Sequence, residues 1–297
     1  MNIKKLYRVP ANLVKRSLEP ERPDAPDVEG AEGREYTEGD LELLVLLPSG
    51  MQPMGLMSAT VTKPKIPTLE EIVRFHKKKV LWNPWATRVA AIKSRGVYNN
   101  GYPVGGIYHY NAGGNSPVGT MDSGRKNNYL FSACGRFGEH VQSNPFNQWG
   151  YHAGASSKLI SGKQKSGVSA FLHGVEVNAA GTVTAKGNDK FAAYFHKKPE
   201  QYFDKSEVRH AGPIPNQLRG SSWFHKFTPE QELSMERFWL FMKVNNPDVF
   251  RLEQVYGHDE VATPFGRKVD PGGCLSMTMS AFRTKLLKAY DDLGLKK

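Results

Sequence analysis

Cysteine is nearly absent: Cys134 and Cys274 are the only two among 297 residues. That excludes a disulfide scaffold and a multi-cysteine zinc finger, so a metal site here has to be built from histidine and carboxylate. Long apolar runs are missing as well. No stretch approaches 18 uninterrupted apolar residues, and the mean hydropathy is −0.51, which excludes a membrane-inserted protein. The opening residues are basic, but Pro10, Asn12, Lys15 and Arg16 interrupt any apolar stretch, so no secretory signal is expected. Internal repeats are lacking too.

Positive charge is plentiful and uneven. The net charge is +11, yet residues 1–60 hold seven Lys/Arg against ten Asp/Glu, leaving +14 on residues 61–297. Such a surface attracts polyanions: nucleic acid, anionic lipid or a bacterial cell wall. Charge alone does not choose among them. No zinc-finger spacing or RNP-like aromatic motif accompanies it, so nucleic acid is not the expected partner.

The length suits one large domain or two unequal ones. Residues 19–40 are acidic, rich in Pro and Gly and poor in large apolar side chains, the composition of a linker or extended arm. Residues 41–47 read as a short strand. Thr68 followed by Glu70 and Glu71 is a helix start. From about residue 100, helix and strand signals alternate as in an α/β domain. Residues 104–110 and 171–177 read as buried strands. Thr228-Pro229-Glu230-Gln231 combines an N-cap, a proline at the first helical position and a capping-box glutamine. The helix it opens carries Met235, Phe238, Trp239 and Met242 on one face, a core stripe. Phe282, Leu286, Tyr290 and Leu293 mark a closing helix.

Nine histidines are present, and three segments stand out. Gly106-Ile107-Tyr108-His109-Tyr110-Asn111 puts a histidine at a strand end. Trp149-Gly150-Tyr151-His152-Ala153-Gly154 is followed by Gly174-Val175-Glu176-Val177-Asn178. Val255-Tyr256-Gly257-His258-Asp259-Glu260 runs into Gly266-Arg267-Lys268-Val269-Asp270-Pro271-Gly272. In that order, over roughly residues 100–290, these segments resemble the zinc-dependent N-acetylmuramoyl-L-alanine amidases of the type-2 family, which includes the peptidoglycan-recognition proteins. The closing segment is the most specific match.

The resemblance implies an α/β fold, a central mixed β-sheet flanked by helices with a zinc-containing substrate groove. It places the catalytic domain at residues 96–297 and leaves 1–95 as an N-terminal extension. It also implies that His109, His258 and Asp270 hold one zinc ion. Three ligands and an open position suit amide hydrolysis, because the ion activates water and holds the oxyanion. Glu176 takes the role of general base and acid, and Lys268 that of oxyanion stabiliser. His152, Tyr110 and Asn111 are placed against the substrate. Many relatives carry His and Thr where this chain has Tyr110 and Asn111, so the support of the zinc ligands is expected to differ. Cys274 does not have ligand spacing, and Cys134 reads as a buried apolar residue.

The expected activity is cleavage of the amide between N-acetylmuramic acid and L-alanine in peptidoglycan or a muropeptide. The alternative is a recognition module that binds peptidoglycan without cutting it. The expected setting is a phage or prophage lytic enzyme, made in the host cytoplasm and released to the wall or carried on the virion; a cytosolic recycling enzyme is the other placement. Residues 181–222, with aromatics among lysines, read as an insertion near the cleft that either recognises substrate or is simply basic surface.

Overall fold

The computed structural model describes residues 64–113, 116–193, 201–211 and 222–295. The acidic arm, the strand expected over 41–47, and Tyr194 and Phe195 of the insertion lie outside the described residues. The chain first forms α1 (Leu69–Val73), β1 (Ala86–Arg88), β2 (Gly96–Val97), β3 (Gly105–Tyr110) and α2 (Pro117–Asn127). Next come β4 (Ser132–Cys134), β5 (His140–Gln142), β6 (Gln148–Trp149), β7 (Ser157–Ile160), β8 (Lys163–Ser166) and β9 (Leu172–Val177). Then follow β10 (Thr182–Gly187), β11 (Lys190–Ala193), β12 (Tyr202–Asp204), β13 (Val208–Ala211) and β14 (Ser222–His225). Helix α3 (Pro229–Asn245), β15 (Val255–Gly257) and α4 (Met279–Asp291) complete it. No helix among the described residues is long and apolar enough to cross a membrane.

Six strands make the central sheet in the order β1-β5-β4-β9-β3-β15. It is mixed: β4 and β5 run antiparallel, and every other neighbouring pair is parallel. Strands β3 and β9 are buried along their whole length, as expected of parallel strands covered on both faces. Gly106, Tyr108 and Tyr110 point to one face of β3, and Ile107 and His109 to the other. On the first face Tyr108 meets Phe227 and Phe282, while a side chain at Gly106 would stand 2.3 Å from the Trp239 ring. Glycine there lets α3 lie directly on the sheet. On the second face Ile107 packs with Ala153, Leu172 and Val261, and α2 covers β4 and β5 through Met121, Phe131, Ala133 and Val141.

Helix α3 starts as its sequence dictates. Thr228 Oγ1 accepts from the Gln231 amide and Gln231 Oε1 accepts from the Thr228 amide, both at 3.0 Å. Gln231 Nε2 also donates to the Asn178 carbonyl, fixing the helix start to the end of β9. The apolar stripe faces the core as expected, but Leu240, Phe241 and Val244 are buried too. Their cover comes from residues ahead of the expected domain boundary. Phe75, Trp85 and Phe241 form an edge-on triad with ring centroids 5.4–5.5 Å apart, each pair worth about 0.5–1.5 kcal/mol beyond burial. The Lys77 and Lys79 amides donate to the last carbonyls of α3, at Val244 and Asn245. The helix begun at Thr68 ends at Val73, and the chain turns to make these contacts. With β1 in the central sheet, residues 64–95 pack as part of the same unit as the strands that follow.

The expected insertion forms an antiparallel sheet of its own, ordered β12-β11-β10-β14-β13. Val183, Phe191, Ala193, Phe203 and Val208 are its small core. Phe224 joins it to the main body, packing against Gly273.

Candidate metal centre

Three adjacent parallel strands deliver the chemistry at their carboxyl ends. His109 is the penultimate residue of β3, Glu176 stands beside it in register on β9, and His258 follows β15 directly. Ligand sites of parallel sheets lie at this end because the loops there are free to vary while the strands hold them. Asp270 arrives on the loop after His258, fixed by the Asp259 amide donating to the Asp270 carbonyl at 2.9 Å.

The three side chains expected to share an ion do converge. His109 Nδ1, His258 Nδ1 and Asp270 Oδ2 lie 3.0 Å from one another. They form a candidate metal site, the one such group found among the described residues. The donor set fits zinc, whose tetrahedral ligands at 2.0–2.2 Å stand about 3.4 Å apart; a few tenths of an ångström of side-chain movement bridges the difference. Cys274 is buried and free but takes no part, and burial raises its thiol pKa. Cys134 is a buried core residue, as expected.

Charge states follow from burial. Burial first, then the facing His258, lowers the His109 pKa to about 4, outweighing Asp270; the ring is neutral near pH 7, as a ligand must be. Burial pushes the Asp270 carboxyl up, but His258 and His109 overcome it and hold the group ionised below its usual range. Glu176 behaves oppositely: burial, then Asp270, raises it well above an ordinary carboxyl, against the pull of Lys268. A carboxyl tuned upwards is a better proton acceptor near neutral pH.

Glu176, Lys268, Tyr110 and Asn111 line one open cavity of about 20 Å³ with His109, His258 and Asp270, room for a water or an ion. Glu176 is 2% exposed, and its Oε2 has no hydrogen-bond partner among the described residues. Lys268 is 5% exposed, buried beside the centre rather than solvated. Asn111 lines the cavity but also braces it: its Nδ2 donates to Thr120 Oγ1, and its Oδ1 accepts from the Ala179 amide.

His152 is the exception. It is expected on the wall of a substrate cleft, and the structure seats it beneath His109, outside the lining of that cavity. The ring is 3% exposed, wedged under His109, with Nδ1 3.1 Å from His109 Nε2 and Nε2 2.9 Å from the Leu172 carbonyl. Burial, then His109, lowers its pKa well below the usual value. The physical reason is the strand below: Gly174 has no side chain, and the ring occupies the space a Cβ would fill. The parts played by the Ala153 and Leu172 carbonyls are not legible in the sequence, because main-chain partners leave no residue-type signal. The Glu260–Arg283 pair, which steadies the loop of His258, is also visible only in three dimensions.

No protein-family model matches the chain, and no curated protein matches it significantly. Among solved structures it is similar to a selenomethionine AmpD derivative, at 18% identity and a TM-score of 0.41 over 68% of this chain and 95% of that one. It is similar to the endolysin N-acetylmuramoyl-L-alanine amidase LysCS from Clostridium intestinale URNW, at 14% identity and 0.40 over 70% and 98%. A third is AmpDH3 from Pseudomonas aeruginosa in complex with anhydromuramic pentapeptide, at 13% identity and 0.37 over 70% and 65%. These are likenesses of backbone outline at low identity, and the functional reading rests on the site itself.

Proposed function

We propose that this chain is a zinc-dependent peptidoglycan hydrolase that cleaves the amide between the lactyl group of N-acetylmuramic acid and L-alanine. One observation carries the reading: two imidazoles and a carboxylate from distant parts of the chain meet at 3.0 Å beside a buried glutamate and a buried lysine. The choice of substrate comes from the sequence motifs around these residues, not from their geometry. Water adds across the amide bond; the lactyl carbonyl leaves as a carboxylate and the alanine nitrogen as an amine.

His109, His258 and Asp270 would hold the zinc, which when bound supplies Lewis acidity to activate water and polarise the scissile carbonyl. Glu176, on the same side of the sheet as His109, takes the proton of the attacking water and returns it to the departing nitrogen. The Lys268 ammonium steadies negative charge developing on the carbonyl oxygen, an effect enlarged by its exclusion from bulk water. The basic surface favours approach to an anionic wall. A phage or prophage lytic enzyme is the setting we propose.

Mass spectrometry of digested sacculi tests this. New L-alanine amino termini with no new reducing sugar ends are expected, and new reducing ends or cuts within the stem peptide would refute it.

A further inference from the structure

His152 and Ala153 lie beneath the candidate centre and touch both of its imidazoles. His152 Nε2 is 2.9 Å from the Leu172 carbonyl, and only an N–H can bond to that acceptor. A neutral ring protonated at Nε2 has a bare Nδ1. That Nδ1 lies 3.1 Å from His109 Nε2, so His109 carries its proton on Nε2 and donates it to His152. The remaining nitrogen of His109, Nδ1, is then an unprotonated donor, and it is this atom that faces His258 and Asp270. The second imidazole is set one residue along: His258 Nε2 donates to the Ala153 carbonyl at 3.0 Å, which turns its Nδ1 towards the centre.

We infer that the His152–Ala153 dipeptide is an outer clamp that presets the tautomers of both histidine ligands, making His152 a positioning residue. The inference rests on the reading of His109, His258 and Asp270 as metal ligands. The clamp is itself held. Ser169 Oγ accepts the amides of His152 at 3.2 Å and Ala153 at 3.1 Å. Arg267 donates to the Ala153 and Ala155 carbonyls at 3.4 and 2.8 Å. Gly174 admits the ring, since a Cβ there would stand 2.5 Å from His152 Nδ1. With both Nε2 atoms engaged below, Nδ1 is the ring nitrogen that each histidine turns towards Asp270 Oδ2, so the clamp decides which atoms face the candidate ion.

Long-range nitrogen–proton correlation on the full, metal-free chain labelled with ¹⁵N-histidine reads the tautomers without any substitution. Protonated Nε2 is expected for His152, His109 and His258, with Nδ1 bare on His152; an Nδ1–H on His152 overturns the clamp. Cobalt(II) titration followed by visible absorption adds a second readout. His152→Leu is expected to weaken cobalt binding about 10–100-fold and alter the band. His152→Asn, whose amide oxygen accepts where Nδ1 did, recovers most of that loss. Gly174→Ala, which crowds the ring and touches no ligand, falls between wild type and His152→Leu. A folded His152→Leu with wild-type affinity and band overturns the clamp alone. Absence of cobalt and zinc binding by the wild-type chain overturns the metal reading, and the clamp with it.

Discussion

Arg283 of α4 grips Glu260 through two hydrogen bonds of 2.6 and 2.8 Å, and Glu260 Oε2 in turn accepts the Gly257 amide at 2.9 Å. The last helix therefore holds the turn that presents His258. Both side chains are mostly shielded from water, so removing one partner strands the other charge. Arg283→Leu is expected to cost about 1–3 kcal/mol, less than a fully buried pair would because some solvent reaches it. Urea unfolding measures the loss, and cobalt affinity should drop with it.

Glu176→Gln keeps the size of the side chain and removes its ability to take a proton. Activity on sacculi should fall about 10²–10⁴-fold. Metal affinity and melting temperature should stay near wild type, because Glu176 Oε2 makes no hydrogen bond among the described residues. Equal losses of activity and metal would assign Glu176 a structural role instead.

Chelation is expected to abolish wall lysis, and stoichiometric zinc to restore it. Zinc at a thousand times its dissociation constant should stabilise the folded chain by about 4 kcal/mol, read as a rise in melting temperature. His258→Ala removes one of the three converging donors and should lose both the lysis and the thermal shift.

Acid should destabilise the fold through histidines remote from the centre. Burial lowers His140 to about 4, and burial followed by His140 lowers His173 to about 3, from the ordinary 6.5. Above pH 6.5 both rings are neutral folded or unfolded, and the full stability is present. As pH falls below 6.5 the unfolded chain takes up protons that the folded one refuses, so stability drops until the folded pKa values are reached. Each ring contributes about 2–3 kcal/mol by pH 4.5. His140 lies flat on Phe238, ring centroids 5.0 Å apart, so His140→Phe should preserve the stacking and flatten the unfolding-versus-pH curve.

Elements whose signals are local were legible in the chain itself. Thr228 and Gln231 carry their cap in neighbouring residues, and the buried runs of β3 and β9 announce themselves by composition. The converging trio was also legible, through the motifs around His109, His258 and Asp270. The burial of α3 on a second side was not, because its cover, Phe75 and Trp85, lies some 160 residues earlier and shows no periodicity of its own. The sheet formed by β10–β14 was hidden for a similar reason: its strands are short, and pairing across loops sets their register.

Residue types and spacing alone determined the α/β class and the helix starts, since each is a property of a few adjacent side chains; the donor set came from motifs whose order along the chain resembles a known family. Tertiary structure alone decided that residues 64–95 belong with the central sheet and that His152 supports His109 from below. Those outcomes depend on contacts between distant segments, on main-chain carbonyls at Leu172 and Ala153, and on the space left open by Gly174. A backbone oxygen and an empty volume have no letter in a sequence; they exist only once the chain has closed around them.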